Sequence, residues 1–188
     1  MTDFSHMMID LETMGTLNNA PVLAIGAIWF DPATGELGRK FYGSIDIADA
    51  CRHGRPSGDT IRWWMQQDDA ARTAAVAGKH SAEYVFGKFR EFCLRPETSI
   101  RPWGNGACFD ISILDYAFLK ITGKKSPWDF WNVRDCRTIR ELGIAAGHKF
   151  KGEREGTHHQ ALDDAIYQAK EASFYWRALT GKADSRVA

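Results

Sequence analysis

The sequence predicts an α/β fold with five strands: three consecutive strands joined by short turns, then two more, each followed by a helix. Three observations carry this. Up to Ile45 the chain holds three β-rich runs separated by turn clusters. Between Asp59 and Leu94 the apolar residues recur at helical spacing. Beyond that, two short apolar runs each lead into a longer helical pattern.

The first run contains Met8-Ile9-Asp10-Leu11-Glu12-Thr13-Met14-Gly15. Side chains alternate along a strand, so Asp10 and Glu12 leave one face of the sheet and Leu11 the other. Two carboxylates this close repel unless something positive separates them. All-oxygen donors suit Mg²⁺ or Mn²⁺ better than Zn²⁺, so further acids are expected from remote parts of the chain. The second strand spans about Pro21 to Phe30, the cluster Asp31-Pro32-Ala33-Thr34-Gly35 turns the chain, and the third strand runs from about Gly38 to Ile45. Short loops make these three an antiparallel meander with the acidic strand paired and internal.

Helical patterns follow, from a cap at Asp59-Thr60 through Met65, from Ala70 to Ala77, and from Ser81 to Leu94. Trp63 and Trp64 lie about 100° apart on a helix, so one can face the core while the other stacks on a nucleobase. Residues Ile100 to Trp103 read as a buried strand, broken by Gly104-Asn105-Gly106 before Phe109-Asp110 opens a helix. Asp110 thus stands at a strand-to-helix junction, where sites collect in α/β sheets; a carboxylate there also suits the helix dipole. Asp115 reads as a solvated helix charge. Trp128 to Val133 are expected as the fifth strand, and Asp135 leads into a helix reaching about Ala146.

The stretch from Gly147 to Gly156 is glycine-punctuated and mixed in charge, which marks an exposed, mobile loop. Its Lys149, Lys151 and Arg154 could meet phosphates. The last helix runs to about Leu179, and Ala161, Ala165, Ala169, Ala172 and Trp176 give it a stripe of small residues that can approach the sheet closely. That approach brings His159 and one of Asp163 and Asp164 towards the acidic strand. Helix geometry does not choose between the two aspartates.

A chain of 188 residues, 44% hydrophobic, can bury a sizeable core and is expected to be a single domain, its core spanning about residues 5–180. With 24 basic and 24 acidic residues there is no global basic field, so a polyanion must be attracted locally. An acidic cluster loaded with metal would do that. The four cysteines have no CxxC pairing, and no signal-peptide pattern or apolar run of membrane-spanning length occurs. Reduced thiols in a cytoplasmic protein, with no membrane partner, are the expectation.

Asp10-x-Glu12, then Asp110, then His159 with four residues before Asp164 resembles the DEDDh group of 3′-to-5′ exonucleases with a ribonuclease H-like fold. The stretches IDLETMGT, DTIRWWMQQ, WGNGACFD, WNVRDCRTI and HHQALDDA resemble the branch holding exoribonuclease AS and phage or prophage exonuclease VIII-like proteins. The resemblance covers nearly the whole chain and implies a mixed sheet, its later strands parallel. It selects His159 and Asp164, because Asp164 precedes Ala165; the doublets also allow the shifted register His158 with Asp163. It implies one divalent ion, Mg²⁺ or Mn²⁺, on Asp10, Glu12 and Asp164, and a second on Asp10 and Asp110, partly through water. His159 would take the proton from the attacking water. The implied partner is single-stranded or 3′-overhang DNA or RNA, released as nucleoside 5′-monophosphates. Thr13 and Met14 are candidate contacts to the terminal sugar and base, and Trp64 and Asn105 complete the candidate substrate set. Members of the branch are commonly homodimers. Two alternatives accompany this reading: a noncatalytic nucleic-acid-binding domain of the same fold, and a related phosphoesterase acting internally or on small nucleotides.

Overall fold

The computed structural model describes residues 4–94, 99–156 and 159–181. Its sheet has the strand order β3-β2-β1-β4-β5. The strands β1 (His6–Thr13), β2 (Val22–Phe30) and β3 (Leu37–Ser44) form the expected antiparallel meander. Strands β4 (Arg101–Gly104) and β5 (Arg134–Asp135) run parallel to β1. The acidic strand is therefore the middle one of the five.

Every residue of β2 is buried, as a strand covered on both faces requires. Alternation along β1 splits the core in two. Met7, Ile9 and Leu11 face a large cluster that includes residues of α4 (Ala82–Cys93) and α5 (Ala107–Thr122). Met8 points the other way, with Ile28, Phe30 and Trp103, against Ala165, Ala169 and Ala172 of α7 (Ala161–Leu179). The small-residue stripe thus docks on the face that also carries Asp10. Gly26, cross-strand partner of Asp10, lets the helix come this close. A Cβ at Gly26 would lie 2.1 Å from the Ala161 carbonyl carbon, and its three nearest neighbours would all be backbone atoms of Ala161 and Leu162.

Between β3 and α4 stand α1 (Ile47–His53), α2 (Gly58–Met65) and α3 (Asp69–Val76). The first was not expected from the sequence: it is short, presents Ala50 to the core, and starts where the Asp46 carboxylate accepts from the Asp49 backbone N–H. The expected strand from Trp128 to Val133 is not one. Phe130–Asn132 form a 3₁₀ turn and only Arg134 and Asp135 pair with β4. The Trp128 ring is buried against Phe89 and Phe118, with its indole N–H donating to Asp115 at 3.1 Å, and this pulls the segment off the sheet edge. Asp115 is exposed, as expected, but not merely solvated, since Ser126 also donates to it.

The helix α6 (Cys136–Ala145) begins on Asp135, one of whose oxygens caps it through Thr138. The other accepts from the Ala107 backbone N–H at 2.6 Å. One carboxylate therefore fixes the starts of both α5 and α6 beside the ends of β4 and β5. Among the described residues no helix is long and apolar enough to cross a membrane.

Candidate functional site

The acidic end of β1 opens into a cleft of about 640 Å³. Asp10 and Glu12 leave β1 on the α7 side, and Asp164, in the first turn of α7, meets them there. One carboxylate oxygen from each of the three lies within 4.8 Å of the others. Asp110 arrives from the first turn of α5. A Cβ at Gly104 would stand 2.9 Å from its Oδ2, so the glycine at the end of β4 makes room for it. Gly106, with φ 102°, takes the left-handed turn into the helix. Backbone N–H groups, that of Leu11 among them, are directed at the Asp110 carboxylate. Asp163 faces the other way, against Gly156, so docking of α7 distinguishes between the aspartates that helix geometry left equal.

Burial and mutual repulsion dominate the electrostatics. Burial first, then the neighbouring Asp110 and Glu12, holds the Asp10 carboxyl well above its usual range, against the opposing Gln168 hydrogen bond and Arg154 charge. Glu12 is pushed up to about 8 by burial and by Asp110. Burial raises Asp110 to about 7, opposed by the backbone N–H groups and by Arg137. Such a group stabilises the fold fully below its unfolded-state pKa, and that contribution is lost as pH rises through the folded-state value. In EDTA the stability these carboxyls contribute is therefore expected to be lost between about pH 4 and pH 8, the interval set by the ordinary value of Asp110, 3.8, and the raised value of Glu12, with buried His6, held down at about 4, working in the opposite sense below its ordinary value of 6.5. Mg²⁺ should restore it at the upper end, because it binds the ionised form. Melting curves across pH with and without Mg²⁺ check this.

The donor set fits divalent cations of the hard, oxygen-seeking kind. The Asp10, Glu12 and Asp110 carboxyls, all held up by burial, would ionise more readily with a cation beside them. Gln168 adds to this picture: its amide N–H donates to Asp10 Oδ1 at 2.7 Å, while its buried carbonyl oxygen has no hydrogen-bond partner among the described residues.

His159 lines the same cleft, with φ 61°, a left-handed conformation that histidine adopts more readily than most residues. Its ring meets Trp63 edge to face at 4.9 Å. His158 lies outside the described residues. Among the expected substrate contacts, Thr13 lines the cleft but is buried, and its hydroxyl donates to the Gly15 carbonyl at 2.7 Å. Met14 is buried in the core cluster and is not among the residues lining the cleft. Trp64 lines the cleft as well, but mostly from within the core. Only 6% of it is exposed, and its indole N–H donates to the Thr13 carbonyl at 2.9 Å, bracing the end of β1. Its neighbour Trp63, 40% exposed, carries the accessible ring. Asn105 lines the cleft while its side-chain oxygen accepts from Arg140 at 3.2 Å.

Sequence reasoning missed Gln168 and Arg137 altogether. Gln168 follows Asp164 by four residues, the spacing that puts two side chains on one helix face, and that signal was available. Arg137 had no comparable signal, because only the packing of α6 beside Gly106 brings it to the cleft.

The model of the Rv2179c-like 3′-5′ exoribonuclease domain matches residues 5–176. The exodeoxyribonuclease of enterobacteria phage T4 is 30% identical, the match covering 73% of this chain and 70% of that enzyme. Among solved structures, the nuclease domain of 3′hExo, a DEDDh family member bound to rAMP, superposes with a TM-score of 0.58 at 15% identity, covering 95% of this chain and 94% of that one. S. pombe Pop2p, in its Mg²⁺- and Mn²⁺-bound form, gives 0.61 at 13% identity, covering 97% and 87%. At those identities the two structures speak for the ribonuclease H-like exonuclease fold. With the fold, the gathered acids and a family match across most of its length, this chain belongs to the Rv2179c-like 3′-5′ exoribonuclease domain family and is a nuclease.

Proposed function

We propose that the chain is a two-metal-ion 3′-to-5′ exonuclease that removes nucleoside 5′-monophosphates from single-stranded or 3′-overhang DNA or RNA. The observation that supports this most is the convergence of Asp10, Glu12 and Asp164 within 4.8 Å, with Asp110 beside them, in a cleft large enough for a nucleotide. In this reading Asp10, Glu12 and Asp164 hold one ion, Mg²⁺ or Mn²⁺, and Asp10 with Asp110 holds the second. Two such ions supply an electrostatic clamp on the attacking and leaving oxygens and a more acidic water.

The chain's own residues do the rest. His159 accepts the proton of the attacking water, for which a neutral imidazole is suited near physiological pH. Its contact with Trp63 orients the ring, and the exposed part of Trp63 offers a sequence-tolerant surface for the terminal base. Backbone recognition of this kind needs an unpaired, splayed 3′ end. The family match from residue 5 to residue 176 supports reading the chain as one exonuclease domain. A homodimer is supported by the family resemblance alone.

Matched DNA and RNA oligonucleotides carrying a 5′ label, single-stranded or with a 3′ overhang, test this in Mn²⁺ or Mg²⁺. Progressive shortening from the 3′ end with 5′-monophosphate products is expected; cleavage of a covalently closed circular strand, which has no end, would point to an endonuclease. His159→Ala is expected to lower turnover by ~10²-fold or more while leaving Mn²⁺ affinity nearly unchanged. Turnover equal to wild type would remove His159 from the proton transfer.

A further inference from the structure

Arg154 is a cation on the cleft wall that the chemistry above does not use. It lies between α6 and α7 in a segment that looks from its glycines like a free loop, yet is fastened along α7. The Phe150 ring packs on Tyr167 and Phe174 at 5.7 and 5.5 Å, and its backbone N–H donates to the Tyr175 hydroxyl at 3.3 Å. One residue beyond Arg154, Glu155 accepts from the Lys170 ammonium at 3.0 Å. Between these fastenings the Arg154 guanidinium lies 4.5 Å from the centroid of the Tyr167 ring and donates to Asp164. Its side chain is 32% exposed, so it sits at the rim of the site and reaches inward.

Asp164 is one of the three carboxylates that converge, and the Arg154 guanidinium already donates to its Oδ1, so a divalent ion would have to draw on a carboxylate that a cation already holds. The two cations therefore compete for one ligand. When the ion wins, the Tyr167 face and the fastened segment keep the guanidinium at the cleft, with its planar fork of donors released. That fork fits a phosphate oxygen pair as well as it fits a carboxylate. A phosphodiester is the anion that this cleft receives.

We propose that Arg154 exchanges partners: it neutralises Asp164 until divalent metal binds, then holds a phosphate oxygen of the bound nucleotide. The proposal rests on the metal-dependent reading above and gives it a substrate-contacting residue.

Calorimetry on Arg154→Ala and Arg154→Lys tests it with two readouts, neither of them turnover: Mn²⁺ binding to the free protein, and binding of a nucleoside 5′-monophosphate in saturating Mn²⁺. Arg154→Ala is expected to bind Mn²⁺ roughly threefold or more tighter, because a competitor is gone. It should bind the monophosphate roughly tenfold or more weaker, because a charged donor pair is lost. Arg154→Lys, which keeps the charge but not the fork, should retain near wild-type Mn²⁺ affinity and recover only part of the monophosphate binding. A merely structural role would weaken both or neither. Unchanged or weaker Mn²⁺ binding in Arg154→Ala overturns the proposal, and so does unchanged monophosphate binding. If wild type digests 3′ ends while either of those results is obtained, only the role of Arg154 fails; wild-type protein that binds no Mn²⁺ removes the metal reading and this proposal together.

Discussion

Asp10→Asn is expected to reduce turnover on a single-stranded oligonucleotide by on the order of 10³-fold or more, with little loss of folding stability. Asp10 is the one carboxylate shared between both proposed ion positions. Removing a single donor to a transition-state charge costs 10²–10³-fold or so in other enzymes, and loss of a shared metal ligand should exceed that. The fold should tolerate the change, because Asp10 is a strongly raised acid held among other acids. An uncharged amide removes repulsion and still has Gln168 as a hydrogen-bonding neighbour. The check is a pair of measurements, single-turnover digestion in Mn²⁺ and a melting curve in EDTA. Turnover within tenfold of wild type would mean that the chemistry does not run through this carboxylate.

Gly26→Ala should act through the architecture. The added methyl would sit 2.1 Å from the Ala161 carbonyl carbon and 2.2 Å from the Leu162 nitrogen, both backbone atoms at the start of α7. Neither can rotate aside, so the helix must lift from the sheet. Overpacking of this kind costs about 3 kcal/mol, at the upper end of what cores show. The same displacement moves Asp164 away from Asp10 and Glu12. A shift of roughly 1 Å in a catalytic group can cost about 10²-fold in rate, so the folded fraction should be slow as well as scarce. Urea unfolding gives the stability and an assay normalised to folded protein gives the rate. Retention of both would show that the approach of α7 at Gly26 does not set the site's geometry.

These two substitutions mark which parts of the site were legible in the sequence. Asp10 and Glu12 were readable because strand alternation is binary: two residues apart means one face, whatever the fold around them. Asp110 was readable from its junction between a short strand and a helix. The choice between Asp163 and Asp164 was not readable from helix geometry and rested on the family resemblance, because both flank the alanine stripe and the deciding fact is a docking contact with Gly26, far earlier in the chain. The tryptophan pair hid in the same way. Either ring could have faced inwards, and Trp64 does so because its indole N–H bonds the Thr13 carbonyl. Arg154 looked like a loop charge, since nothing local announces that Phe150 finds three aromatic partners on α7. Strand β5 was misplaced for a related reason, the side chain of Trp128 being claimed by the core before its backbone could join the sheet. Periodicity reports local preference, and each of these outcomes was fixed by a long-range contact.

The most direct test of the proposed site is an anomalous-scattering map from crystals grown in Mn²⁺. Two peaks are predicted, one bounded by Asp10, Glu12 and Asp164 and the other between Asp10 and Asp110, with the Arg154 guanidinium moved off Asp164. A map with no Mn²⁺ among these four carboxylates, at concentrations that support digestion, would contradict the account.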